Sequence, residues 1–448
     1  NSGNITIGSS DVLFTDSYGI YNRGSSLTNS GSITVFGSGY GIYGKGSIDN
    51  SGSIAIHAEN DAAPVYGIYG QNGSVIDNEG QINIASSKAV NTSAVFGIYG
   101  NSAEINNNGS IKIGDGGNLF NAATGIRADN KNVNNSGTVR IYGAGTAISA
   151  ENGNIVNNSG GSITMVISGA ADSYGIYLAG RGSNTLTNNA TVKVNRSSAY
   201  AEGKKAVALY AENGSINNSG ALEVGAKDAV INGGIGIETD GGNVTNGGTI
   251  TVYGNGSVLN GQNGNVTNNE KGQLNIYTDG KASAYGIYLA GSTGNTITNK
   301  ASIFINRYGA YAQAASTGNY GIWTDNAKIV NSGDISLGSS TAGLSGIYGL
   351  YAAGSGSIEN SGVINLYGAG TAIYTASGTV NNTATSGIIN IYTDGSADSF
   401  GIAAGSSNNG LISNSNKISI TAQNGNASAK KNTGIAANNI KNSGTVQI

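Results

Sequence analysis

The sequence predicts an all-β chain, a right-handed single-stranded parallel β-helix (β-solenoid) of about sixteen coils with three short strands each. Three observations predict it. A short signature, Asn-small-Gly followed by alternating apolar residues, returns at nearly even spacing through all 448 residues. Glycine accounts for 74 residues and proline for one, so turns are frequent and polyproline geometry is absent. No stretch of useful length carries the 3.6-residue apolar period of a helix.

The anchor of the signature is an asparagine. Asn50-Ser51-Gly52-Ser53-Ile54-Ala55-Ile56 is one copy and Asn135-Ser136-Gly137-Thr138-Val139-Arg140-Ile141 another. The anchors are Asn1, Asn29, Asn50, Asn78, Asn107, Asn135, Asn158, Asn188, Asn218, Asn246, Asn268, Asn299, Asn331, Asn360, Asn382, Asn414 and Asn442. Each interval holds three apolar patches: the Ile-x-Ile pair after the glycine, a Gly-Ile-Tyr segment such as Tyr66-Gly67-Ile68-Tyr69, and one apolar residue before the next anchor, such as Ile48. Alternation over three to five residues reads as a strand with one buried face. Gly, Asn and Ser between the patches supply turns. A coil of this kind cannot bury its apolar face alone and must stack on its neighbours.

A longer period overlies the first. Every fourth interval is compact, 21 to 23 residues against 28 to 32 elsewhere. Val139-Arg140-Ile141-Tyr142-Gly143-Ala144-Gly145-Thr146-Ala147-Ile148 matches Ile364-Asn365-Leu366-Tyr367-Gly368-Ala369-Gly370-Thr371-Ala372-Ile373. The duplicated unit is therefore about four coils, and residues 1–448 read as one continuous solenoid segment. The extra residues of the long coils, Ser86 to Val95 for example, fall between the first and second strands and are expected along one edge.

Composition excludes several functions. Charged residues are 10%, against about 25% in a typical soluble domain. The net charge of −3 and the recurrent Ile and Val argue against disorder. There is no cysteine, which removes disulfides, thiolate chemistry and cysteine metal sites. His57 is the single histidine, so neither a Ser/His/Asp triad nor a histidine metal centre is expected, and no cofactor is expected. The 22 Lys and Arg are thinly spread, which argues against a nucleic-acid partner. No run of 18 apolar residues exists to span a membrane as a helix. The chain begins and ends in mid-pattern, so a piece of a longer protein is expected.

The repeated polar and aromatic positions are the candidate functional residues. Asn29, Asn50, Asn78, Asn107, Asn135, Asn218, Asn331 and Asn360 can stack as an internal hydrogen-bonded ladder, or bind a glycan or metal. Acceptor-type sequences such as Asn91-Thr92-Ser93 arise readily in a chain built of Asn and Ser. With Ile68 inside, Tyr69 faces out. The same position holds Tyr21, Tyr43, Tyr69 and Tyr99, then Arg127, Ser149, Tyr177, Tyr210, Glu238 and Leu259, then Tyr288, Trp323, Tyr348 and Tyr374. A second outward face holds Phe36, Tyr142, Tyr253, Tyr277, Tyr367 and Tyr392. Such columns either stack to stabilise the sheet or form platforms for sugars or a protein partner. A polysaccharide-cleaving solenoid would need an acid and a base on one face. The acidic residues look scattered, and Asp129, Asp240 and Asp325 read as solvated turn residues in distant coils.

The alternation of Asn-Ser-Gly-x-Ile-x-Ile/Val with Tyr-Gly-Ile-Tyr, as in Asn29 to Val35 followed by Tyr40 to Tyr43, resembles the passenger domains of type V autotransporters, and most of all the large outer-membrane adhesins of the fusobacterial type. The resemblance covers the whole chain. It implies secretion to the bacterial cell surface, unfolded passage through an outer-membrane barrel that would lie outside this chain, and a role as an adhesion stalk. The partner expected of such a stalk is a glycan or protein receptor on a host or bacterial surface, and self-association between rods through the edge loops of the long coils is a separate expectation. The absence of cysteine fits that route. A sugar-cleaving enzyme is the alternative function.

Overall fold

The computed structural model describes residues 1–59, 63–88, 90–91, 94–180, 183–198, 200–291, 293–309, 317–383, 386–423 and 430–448. The described residues contain no α-helix. The chain forms two compact units, Asn1–Gly225 and Ala226–Ile448. Both are parallel β-solenoids, and together they hold about fifteen turns.

One coil of the first unit shows the design. Its strands are Ser53–His57, Val65–Gly70 and Val75–Asn78. Each pairs in parallel with the equivalent strand of the coils before and after, so like residues stack in columns. In the first strand Ile33, Ile54, Ile82, Ile111 and Val139 are in register and almost wholly buried, while Thr34, Ala55, Asn83, Lys112 and Arg140 alternate outward. The second unit repeats this with Ile250, Leu274, Ile303, Ile335 and Ile364. Burying each such side chain contributes about 1.5–3 kcal/mol. That gain depends on a neighbouring coil on either side, which is why no coil is stable alone.

The second strand departs from strict alternation. In Val65–Gly70 both Gly67 and Ile68 are buried, so Tyr66 and Tyr69 both face outward. The glycine is there because of a close approach. A Cβ on Gly67 would lie 2.4 Å from the Gly97 carbonyl oxygen and 2.5 Å from Ile82 Cγ2. Gly19, Gly41, Gly97, Gly125 and Gly175 occupy the same tight position.

The third strand ends on the anchor asparagine. Asn29 Nδ2 donates to Asn50 Oδ1 at 2.8 Å, Asn50 to Asn78 at 2.7 Å, Asn78 to Asn107 at 2.8 Å and Asn107 to Asn135 at 2.7 Å. The row then passes through Asn157, not Asn158, and on to Asn188 and Asn218. Asn157 ends the third strand of its coil, and two more residues separate it from the next strand, at Ser162, than separate Asn135 from Thr138, so Asn158 falls in the turn. In the second unit the row runs from Asn246 through Asn268, Asn299, Asn331, Asn360, Asn382 and Asn414 to Asn442.

The four-coil period has a structural cause. A small hairpin opens the coil before each compact one: Ser9–Val12 and Asp115–Asn118 in the first unit, Ala226–Ala229 and Ser339–Ala342 in the second. After the hairpin, Phe14 and Phe120 come into register with Gly37 and Gly143 of the following coil. Those glycines have φ of 115° and 123°, and a Cβ on either would lie 1.9 Å from the phenylalanine carbonyl oxygen. The compact coil therefore turns its corner on a Gly-x-Gly with no loop. Its first two strands fuse into Ser32–Gly44 and Thr138–Glu151.

Candidate functional site

The outward aromatic positions gather into two parallel columns on the face formed by the second strands. In the first unit one column holds Tyr21, Tyr43, Tyr69 and Tyr99 in register, and the other holds Tyr18, Tyr40, Tyr66 and Phe96. Within this column Tyr43 lies flat between Tyr21 at 5.1 Å and Tyr69 at 4.9 Å, with planes within 9°, whereas Tyr99 meets Tyr69 at 64°. Between columns Tyr18 and Tyr21, Tyr40 and Tyr43, and Tyr66 and Tyr69 meet edge to face, Tyr40 and Tyr43 at 5.1 Å and 81°, and Phe96 and Tyr99 meet at a tilt of 38°. Both geometries suit the ring quadrupole. The rings are half-buried, except for the exposed Tyr18 and Tyr21.

In the second unit the column runs Tyr288, Trp323, Tyr351, Tyr374. Tyr351 takes the position assigned above to Tyr348. The strand Ile347–Ala352 contains two overlapping patterns, Ile347-Tyr348 and Gly349-Leu350-Tyr351, and the second one sits in register. Tyr348 belongs to the neighbouring column, with Tyr285 and Tyr320. Leu259 is likewise corrected: it is buried opposite Ile237 and Ile287, and Asn260 faces out. A strict two-residue period hides the second column, because it sends positions three apart to opposite faces. The signal lies in the aromatic three residues before Tyr21, Tyr43, Tyr69, Tyr99, Tyr177, Tyr288, Trp323 and Tyr351.

Burial holds the hydroxyls of Tyr40, Tyr66, Tyr99, Tyr348 and Tyr351 above the ordinary phenol range and pushes Tyr320 up to about 12. At Tyr99 a hydrogen bond to Asp129 adds to the effect; its hydroxyl donates to Asp129 Oδ2 at 2.5 Å.

A polar fringe runs beside the first unit's rings, two residues further along each strand. Gln71 Nε2 donates to the Tyr43 hydroxyl at 2.6 Å, and Asn101 to that of Tyr69 at 3.3 Å. Asp129 belongs to this fringe and is not a free turn residue. It is mostly buried and accepts from Arg127 Nε at 2.9 Å. Arg127 also reaches Glu151 at 3.4 Å, bridging two carboxylates one coil apart in register. The acids are thus less scattered than the linear order implies. Asp129 and Glu151 lie together, and Glu212 shares a cleft of 540 Å³ with Arg127, Ser149, Glu151 and Tyr177.

The other outward face carries isolated pairs: Phe36 on His57 at 4.3 Å, Tyr253 on Tyr277 at 4.9 Å and Tyr367 on Tyr392 at 4.8 Å. Tyr142 stands opposite Val166, with Arg140 over its ring at 5.0 Å. The ladder asparagines other than Asn442 are buried, with their amides spent on one another, which leaves little for a ligand. The sequence beginning at Asn91 runs through positions outside the described residues. Among the described residues no three acidic or histidine side chains converge as a metal site, and no helix is long and apolar enough to cross a membrane. The fold and site define a repeat protein of the β-solenoid class. No family model, curated protein or solved structure matches the chain.

Proposed function

We propose that the chain is the stalk of a surface-displayed bacterial adhesin, whose aromatic columns contact glycans or proteins of a neighbouring cell. The observation that carries this reading is the paired columns of half-exposed rings, eight aromatic residues over four coils in the first unit alone. Rings of this kind bring large contact area at little conformational cost. Contiguous exposed aromatic surface is uncommon on a protein that binds nothing. The likeness of the repeat to autotransporter passengers supports display at the outer membrane, with the anchoring barrel outside this chain.

The test is attachment of the purified chain to glycan arrays and to whole cells, beside a variant with Tyr288, Trp323, Tyr351 and Tyr374 changed to Ser. Attachment by the wild type that the folded variant loses supports the reading. Equal attachment by both removes this column of the second unit from recognition, and no attachment by either makes the segment a spacer.

A further inference from the structure

The outward column of the first unit is interrupted at one place. Between Tyr99 and Tyr177 it reads Arg127 and then Ser149, with the strand register intact. Elsewhere in this column, rings one coil apart are 4.9 to 5.1 Å between centroids, so each coil is one ring thick at this face. At Ser149 a hydroxymethyl group stands where a ring would be. A cleft opens there, lined by Arg127, Ser149, Glu151, Tyr177, Glu212 and Asn213 among others.

Both walls are held in place. On one side Tyr177 stacks on Tyr210 at 5.1 Å and 3°, and its hydroxyl donates to Glu212. Glu212 also accepts from the Gly180 amide at 3.3 Å. On the other side Arg127 is fixed by Asp129 and Glu151 and lies over the Tyr99 ring at 5.8 Å. Side chains ordered before a ligand arrives lose little entropy when it binds.

We propose that this cleft is a subsite for a single pyranose ring of a neutral glycan, inserted where the absent aromatic would stack. The proposal rests on the reading of the aromatic face as a recognition surface, and narrows it to one position and one ligand class. A pyranose chair is about one ring thick and has an apolar C–H face suited to Tyr177. Its rim of hydroxyls needs donors and acceptors together. Arg127 and Asn213 donate, and Glu151 and Glu212 accept. A phosphate or acidic sugar meets more carboxylate than guanidinium here, and a simple cation meets Arg127. A mixed, hydroxylated ring matches both signs.

The test uses the full chain, with methyl glycosides of glucose, galactose, mannose and N-acetylglucosamine as probes in saturation-transfer NMR and calorimetric titration. Ser149→Tyr closes the slot with the protein's own ring and continues a stack the fold already tolerates, so folding is preserved. At least one glycoside should bind the wild type, with affinity falling tenfold or more in Ser149→Tyr. Glu151→Gln should weaken binding in the same direction. Absence of glycoside binding to the wild type, or equal binding by folded Ser149→Tyr, overturns the proposal. Whole-cell attachment, run in parallel, separates the two readings. Attachment without glycoside binding refutes the subsite and keeps the adhesin. Glycoside binding without attachment does the reverse.

Discussion

Trp323 lies flat on Tyr288, with ring centroids 4.5 Å apart and planes 3° from parallel. It is the single tryptophan of the chain, so its fluorescence reports on the aromatic column of the second unit and nothing else. A ligand that covers the column should shift or quench that emission in a saturable way. Attachment with unchanged emission would place recognition elsewhere. Trp323→Ser removes the stack and should cost about 0.5–1.5 kcal/mol beyond the lost area, a modest fall in the denaturation midpoint with the fold retained.

Asn107 is buried between Asn78 and Asn135. Asn107→Ala takes an acceptor from one and a donor from the other. Two buried polar groups left unpaired should cost about 2–6 kcal/mol. Asn134, the residue before Asn135, faces outward and donates to Asn106 at 2.9 Å. Asn134→Ala should stay within about 0.5 kcal/mol. Chemical denaturation of the two variants, followed by circular dichroism, checks the contrast, and equal effects would refute an internal ladder as a source of stability.

A Cβ on Gly97 would sit 2.5 Å from the Gly125 carbonyl oxygen and 2.5 Å from Ile111 Cγ2. Neither atom is the end of a flexible chain. Gly97→Ala should therefore destabilise by about 1–3 kcal/mol through overpacking, although alanine usually favours a folded chain over glycine. A melting temperature equal to or above that of the wild type would contradict this.

Tyrosine ionises near 10.0 in the unfolded chain, whereas burial raises Tyr320 to about 12 in the fold. The folded state thus holds the proton more tightly across that window. The stability this provides is complete below pH 10 and is lost as pH rises through 12. Alkaline titration followed by tyrosinate absorbance should show a class of phenols ionising late, in step with unfolding. A single titration near pH 10 with the fold intact would argue against buried hydroxyls.

Much of this architecture was legible in the linear order. Ile54, Ile56, Ile68 and Ile76 are inside because period-two alternation and an even repeat leave them no other place. The anchor asparagines were legible too, except where a longer turn moved the row from Asn158 to Asn157. The errors came from geometry that a two-residue period does not carry. Gly67 and Ile68 both turn inward, which puts Tyr66 beside Tyr69 and makes the aromatic surface twice as wide as a strand pattern implies. The shift from Tyr348 to Tyr351 depends on which of two overlapping motifs meets Trp323, and only the register decides it. The grouping of Asp129, Glu151 and Glu212 needed the coils to be stacked, because these residues are far apart along the chain.

The asparagine row also has a sense of direction. In each unit every carboxamide is oriented alike, with its amino group toward the later coil and its oxygen toward the earlier one. A coil inverted end for end would set amino group against amino group and could not join the row. The two ends of such a stack are therefore chemically different, one showing hydrogens and the other lone pairs. A partner coil can add to either end only in the correct polarity, as a subunit adds to a polar filament.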